Sequence, residues 1–172
     1  PGYSLTREEI ERLWTVADRH GIYVFSDGVY RGLDLDGEER PWVADVYDRA
    51  VSLGVLSKSN GLAELRIGWV ASRDKALLDR MTRFKHYLSI CNSGPSEFLA
   101  EIALKHGDKL LRRHREIIEG NLAVADAFFA KYGRLFTNYR PQCGPAAFPA
   151  FHADEQLAHF AEKPVQKAGV LL

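Results

Sequence analysis

An amine, a carboxylate, a phenol, a hydroxyl and a guanidinium stand in this chain where apolar runs give way to polar residues. In the stretch VLSKSNGLAELRIGW, Lys58 lies between Ser57 and Ser59 just past an apolar run, and Arg66 follows eight residues later, directly before Ile67, Gly68 and Trp69. Upstream, in IYVFSDGVY, Asp27 and Tyr30 follow a second apolar run. Each group has a definite capability. A guanidinium offers paired donors which, with a hydroxyl such as that of Ser57, suit a phosphate. A lysine whose surroundings lower its ammonium pKa forms a Schiff base with an aldehyde. The Asp27 carboxylate can hold a proton on a ring nitrogen, and the Tyr30 phenol can donate to a ring oxygen.

Those groups converge only if the elements that carry them end on one edge. SLTREEIERLWTVADRHG reads as a helix: Thr6 and Glu9 form a capping box, Ile10, Leu13, Trp14 and Ala17 form one apolar stripe, and Gly21 stands where a helix stops. IYVFS is a short continuous apolar run, the pattern of a strand covered on both faces. A helix at WVADVYDRA, a second buried strand from Val51 to Leu56, a third strand at RIGWVAS and a long helix at RDKALLDRMTRFKHYL follow, the last with Asp74 near its start. Helix, strand, helix, strand without hairpin signals predicts an α/β fold with a mostly parallel sheet and covering helices. Ligands of such sheets bind outside the carboxyl ends of the strands. Asp27 and Tyr30 follow the first strand, and Ser57 and Lys58 the second. Arg66 opens the third and reaches the same edge if that strand runs antiparallel.

From Pro95 the character changes. PSEFLAEIALKHG and DKLLRRHREIIEGNLAVADAFFAKYG are successive helices, and RLFTNYRPQCGPAAFPAFH reads as short strands broken by Pro and Gly. DEQLAHFAEK is a further helix and AGVLL an apolar strand. His106 and His114 read as helix surface, KLLRRHRE as an exposed helix face, and Trp14, Phe128 and Phe129 as core. The composition of the 172 residues, 46% apolar and 27% charged, fits a globular protein. Acids and bases balance at 23 each, so no global field recruits nucleic acid or an anionic membrane. Cys91 and Cys143 are far apart and, with six scattered histidines, give no metal spacing, which fits a reduced intracellular protein. The sequence has no apolar run of spanning length and no signal peptide. It opens on Pro-Gly and finishes inside an apolar run, which predicts an internal segment of a longer protein.

An aldehyde, a phosphate, a basic ring nitrogen and a phenolic oxygen together describe pyridoxal 5'-phosphate. LSKSNGLAELRIGW resembles the lysine motif of the class I/II aminotransferases, the fold-type I pyridoxal-phosphate enzymes, and YVFSDGVY resembles their D-x-x-Y strand end. SLTREEIERLWTVADRHGIYVFSD is similar to the helix and strand that follow the family's N-P-T-G turn. The resemblance implies that residues 1–107 are the second half of a cofactor-binding large domain. It makes 108–132 an interdomain helix and 133–172 the truncated start of a small α+β domain.

The resemblance also implies roles. Lys58 holds the cofactor as a Schiff base and moves the substrate α-proton. Asp27 keeps the ring nitrogen protonated, and Tyr30 bonds the phenolic oxygen. Ser57 and Arg66 bind the phosphate. The chain departs from the family pattern at Val55, where a second serine is frequent, at Asn60, where an aromatic is common, and at Ala63-Glu64, which replaces Pro-Gly. The family's ring-side asparagine, its glycine-rich phosphate turn and its stacking aromatic precede this segment, and its carboxylate-binding arginine follows it. The 172 residues alone are therefore expected to bind cofactor weakly and to turn nothing over. The resemblance implies an amino acid and a 2-oxo acid as substrates and a cytoplasmic homodimer; it makes Tyr87, Asn92 or Ser93 candidate contacts near the site, against helix capping by Ser93 or Ser96 as the plainer reading. A lyase, a cyclising biosynthetic enzyme or a non-catalytic sensor domain of a regulator are alternatives on the same fold.

Overall fold

The computed structural model describes residues 2–152 and 157–169. Helix α1 (Arg7–Arg19) starts at the capping box: Thr6 Oγ1 accepts from the Glu9 N–H at 3.2 Å, and Glu9 Oε2 accepts from the Thr6 N–H at 2.8 Å. Its buried face brings Ile10 and Ala17, with Trp14 beside them, against Val43, Tyr47 and Ala50. Strand β1 (Val24–Asp27) follows, then α2 (Val43–Val46) and β2 (Ala50–Val55). A 3-10 turn (Ala63–Leu65) leads to β3 (Gly68–Ala71). Helix α2 is a single turn, shorter than WVADVYDRA predicts. Tyr47 is already extended at φ −139°, its hydroxyl donates to Ile22 O at 2.8 Å, and Ala50 is taken into β2.

The three strands form one sheet in the order β1-β2-β3. β1 and β2 run parallel, from Val24 opposite Ala50 to Asp27 opposite Leu53. β2 and β3 run antiparallel, from Ser52 opposite Ala71 to Val55 opposite Gly68. Ser52 is the one polar side chain deep in β2, and its hydroxyl accepts from the Ala44 N–H at 3.0 Å, so its burial leaves no polar atom stranded. β1 is not covered on both faces as its apolar run predicts. Val24 packs on the α1–α2 cluster, whereas Phe25, on the opposite face, is 61% exposed because no described residue covers it.

Helix α3 (Lys75–Leu88) is capped by Asp74, whose carboxylate accepts from the Leu77 N–H at 2.9 Å. Helices α4 (Gly94–Lys105) and α5 (Gly107–Lys131) are separated only by His106, where the backbone leaves helical geometry. Ile118 and Leu122 of α5 bury Leu33 in a second cluster, with Tyr30, Leu35, Leu111 and Cys143 packed around it. Strands β4 (Phe136–Thr137) and β5 (Ala150–Phe151) pair antiparallel, and Phe151 meets Phe160 of α6 (Leu157–Ala168) at 4.2 Å between ring centroids. Phe128 is not core as the sequence suggests: it is 47% exposed, although it touches Tyr132 at 4.7 Å. α6 runs through Pro164 to Ala168, so the first part of the expected AGVLL strand is helix end and cap, and residues 170–172 lie outside the described residues. Among the described residues no helix is long and apolar enough to cross a membrane, and no group of three or more acidic, His or Cys side chains is placed to hold a metal.

The first cluster depends on where α1 begins, so its cap has a measurable effect. Thr6→Ala is expected to lower stability by about 1 kcal/mol, read as a lower urea midpoint with unchanged slope, while Thr6→Ser retains most of it.

Candidate functional site

The sheet places the carboxyl ends of β1 and β2 and the amino end of β3 on one edge, because β3 is antiparallel to β2. The ladders extend past the named strands: Gly28 N–H donates to Leu53 O at 2.9 Å, and Leu56 N–H donates to Ile67 O at 3.1 Å. The chain from 56 to 62 then folds on itself, with Leu62 N–H to Leu56 O at 2.9 Å and Gly61 N–H to Lys58 O at 3.0 Å. Ser57 and Lys58 lie in this loop, and Arg66 lies directly before β3. A further backbone bond, Ser59 N–H to Val29 O at 3.3 Å, ties the lysine loop to the turn between Asp27 and Tyr30.

Asp27 is exposed, and its Oδ1 accepts from the Val29 N–H at 3.1 Å, a local turn bond. Tyr30 is half-buried. Gly144, at φ +71°, lies against its ring, where a Cβ would approach the ring to 3.2 Å; only glycine suits that backbone and that spacing. The Cys143 thiol donates weakly to Tyr30 O across 3.6 Å, and Gly144 N–H donates to Leu33 O at 3.1 Å. Arg66 adopts the left-handed conformation at φ 55°, ψ 37°, and one of its guanidinium nitrogens donates to Ala63 O at 3.1 Å. That conformation costs a non-glycine residue about 1 kcal/mol, a form of strain that concentrates at functional sites.

The five groups share an edge, but not one cavity. A cavity of about 400 Å³ is lined by Asp27, Tyr30, Tyr3, Ser26 and Trp42. A second, of about 510 Å³, is lined by Ser59, Asn60, Gly54 and Trp69. Arg31 borders both cavities and stacks on Trp42 with its guanidinium carbon 4.4 Å from the ring centroid. Burial lowers its pKa from the ordinary arginine value. Lys58 and Arg66 are exposed and Ser57 is half-buried; none of the three lines either cavity.

The loop after Tyr30 is held by Arg40, which reaches Asp34 at 3.0 Å and Asp36 at 2.6 Å and donates to Leu5 O at 2.8 Å. The Arg40 hydrogen bond holds the Asp36 carboxyl down at about 2, so this pairing survives until pH falls far below neutral. Helix α5 supplies contacts that a surface reading of KLLRRHRE does not anticipate. His114 Nδ1 lies 2.8 Å from Ser59 O, Arg115 Nε donates to Gly32 O at 2.7 Å, and Leu111 packs on Gly32. The signal is in the spacing: Leu111, His114, Arg115, Ile118 and Leu122 fall on one helical face, though two of the five are polar.

Comparison with known proteins adds to this geometry. The family described as aminotransferase class I and II matches residues 1–142. Capreomycidine synthase from Streptomyces vinaceus is 30% identical over 168 residues, 96% of this chain and 42% of that protein. The crystal structure of a PLP-dependent aminotransferase from Streptococcus suis superposes with a TM-score of 0.92 at 32% identity, over 99% of this chain and 45% of that one. The PLP-dependent cyclase OrfR superposes with a TM-score of 0.88 at 24% identity, over 99% of this chain and 46% of that one, a likeness of fold. The chain thus spans less than half the length of each of these proteins.

The packing around Tyr30 predicts a difference between the two thiols. Burial, the largest cause, and the nearby Asp34 push the Cys143 thiol up to about 12, so it stays protonated near neutral pH, whereas Cys91 is exposed. At pH 8 a disulfide reagent should titrate Cys91 rapidly and Cys143 slowly, and Cys91→Ser should remove the fast phase.

Proposed function

We propose a function from one premise: this chain belongs to the aminotransferase class I and II family. The full-length protein transfers an amino group between an amino acid and a 2-oxo acid, using pyridoxal 5'-phosphate held on Lys58. The observation that carries this reading is the common strand edge, where Ser59 N–H to Val29 O at 3.3 Å joins the lysine loop to the Asp27–Tyr30 turn. The description of the Streptococcus suis relative as a PLP-dependent aminotransferase supports it.

The donor set suits the cofactor. Among the described residues, the Lys58 amine, the Ser57 hydroxyl and the Tyr30 hydroxyl have no hydrogen-bond partner, and Asp27 uses only one oxygen in its turn bond. Arg66 spends one nitrogen on Ala63 O and keeps the rest of its fork. Bound pyridoxal phosphate supplies an electron-accepting ring. Lys58 Nζ would hold the cofactor at its aldehyde, and as a free amine would take the proton from the substrate α-carbon. Asp27 holds a proton on the ring nitrogen, and Tyr30 donates to the phenolic oxygen. Ser57 and Arg66 grip the phosphate and so fix the ring relative to Lys58. On this reading residues 1–107 belong to the cofactor domain, 108–132 form the interdomain helix, and 133–172 begin a second domain.

A second reading, a synthase or cyclising enzyme, is favoured by the likeness to capreomycidine synthase over nearly the whole chain. The residues named here would serve both reactions up to α-proton removal. What distinguishes them is whether a 2-oxo acid accepts the amino group, which a screen of amino donors and acceptors decides.

The cofactor assignment is checked by adding pyridoxal phosphate to the full-length protein. A visible absorption band should form and be absent in Lys58→Ala; wild-type protein that stays colourless contradicts the assignment. Asp27→Ala should keep the band and lose about 100-fold or more in the rate of α-proton transfer.

A further inference from the structure

We propose that His114 is a positioning residue for the lysine loop, acting through the carbonyl of Ser59; its bearing on chemistry rests on the reading of Lys58 as the cofactor lysine. His114 Nδ1 lies 2.8 Å from Ser59 O. A carbonyl has no proton to give, so Nδ1 carries it and donates. Ser59 is buried at 6% exposure, and its N–H is bonded at 3.3 Å to Val29 O of the neighbouring turn. The residue next to Lys58 is thus held on both sides: its N–H by the turn that carries Asp27, its carbonyl by α5.

The imidazole also sets the loop's shape. It lies against Gly61, where a Cβ would come within 2.5 Å of Cε1 and 2.7 Å of Nε2, and Gly61 has φ +67°. Gly61 N–H in turn bonds Lys58 O at 3.0 Å. The next residue of α5, Arg115, donates to Gly32 O at 2.7 Å, beyond Tyr30. One helix face therefore holds both the lysine loop and the segment after Tyr30. Without His114 the Ser59 carbonyl loses its partner in a buried setting, and the loop must move to satisfy it. Small displacements of a reacting group cost rate steeply.

The test uses His114→Ala, His114→Asn and His114→Gln in the full-length protein. The asparagine amide nitrogen stands where Nδ1 stands, whereas that of glutamine stands where Nε2 does. Hydrogen exchange of the segment 56–62 in cofactor-free protein should quicken about fivefold in the Ala and Gln variants and return towards wild type in Asn. The pH midpoint of the visible band formed with pyridoxal phosphate should shift in Ala and Gln and be restored in Asn. Equal exchange in all four proteins overturns the proposal, as does Asn behaving like Gln. Faster exchange with an unmoved band midpoint reduces His114 to a packing residue and equally overturns it. If Ala does not fold, the contrast of Asn with Gln decides. A wild type without any band would refute the cofactor reading, while exchange would still judge the hold of His114 on the loop.

Discussion

The pairing of β2 with two neighbours of opposite direction is the constraint on which the proposed site depends. A parallel partner brings the end of β1 level with the end of β2, and an antiparallel partner brings the beginning of β3 to the same edge. Asp27, Lys58 and Arg66 belong to three different segments, and only this arrangement puts all three at one rim. The ladder bonds Gly28 to Leu53 and Leu56 to Ile67 lock the register within a residue or two of Asp27, Lys58 and Arg66. A slip of one residue would turn every side chain of β2 to the opposite face, so that Ser52 would leave the Ala44 N–H it accepts from and Val51 would take its side of the sheet. Site geometry and core packing are thus specified by the same hydrogen bonds.

A rim alone would leave its loops free, and the structure closes them with polar contacts. The lysine loop is bonded within itself, to the Asp27 turn and to α5. The segment after Tyr30 is bonded to α5 through Arg115, to residues 142–144 through backbone pairs, and to Leu5 through Arg40. Most of these bonds end on backbone carbonyls, which fixes main-chain position and leaves the side chains of Lys58, Tyr30 and Ser57 uncommitted among the described residues. That division of labour is what preorganisation of a binding site requires.

Much of this was legible in the sequence, for identifiable reasons. The α1 cap at Thr6 and Glu9 is a local signal and appears as read. The strand ends could be found because polarity changes abruptly at Asp27 and Ser57. The antiparallel run of β3, on which the place of Arg66 depends, could be stated only as a condition, since strand direction is set by non-local pairing. His114 reads as surface from its charged neighbours in KLLRRHRE, although its face is shared with Leu111 and Ile118. Tertiary contact overrode composition there. The exposed face of β1 departs from its sequence for the opposite reason: the apolar run IYVFS implies two covers, and the described residues supply one.

The two core clusters show how distant segments bear on the same few atoms. Leu33 follows Tyr30 by three residues and is buried by Ile118 and Leu122, so the apolar anchor of the Tyr30 segment is provided by α5. The helix that provides this anchor also carries His114, which bonds the lysine loop. Burying side chains such as these contributes about 1.5–3 kcal/mol each, more than a single hydrogen bond adds. The apolar contacts therefore seat α5, and once it is seated its polar residues can align the loops without having to supply the energy of docking. Cys143, in the same cluster, and Gly144 pack on Tyr30, and the positive φ of Gly144 favours glycine at that close approach. Tyr30 is thus fixed by segments more than a hundred residues away in sequence (Cys143 bonds its carbonyl), whereas Lys58 is fixed largely by its own loop and by a helix face. The phenol side of the proposed site consequently depends on residues 142–144 as well as on α5, and the lysine side on β2, β3, α5 and the turn after β1.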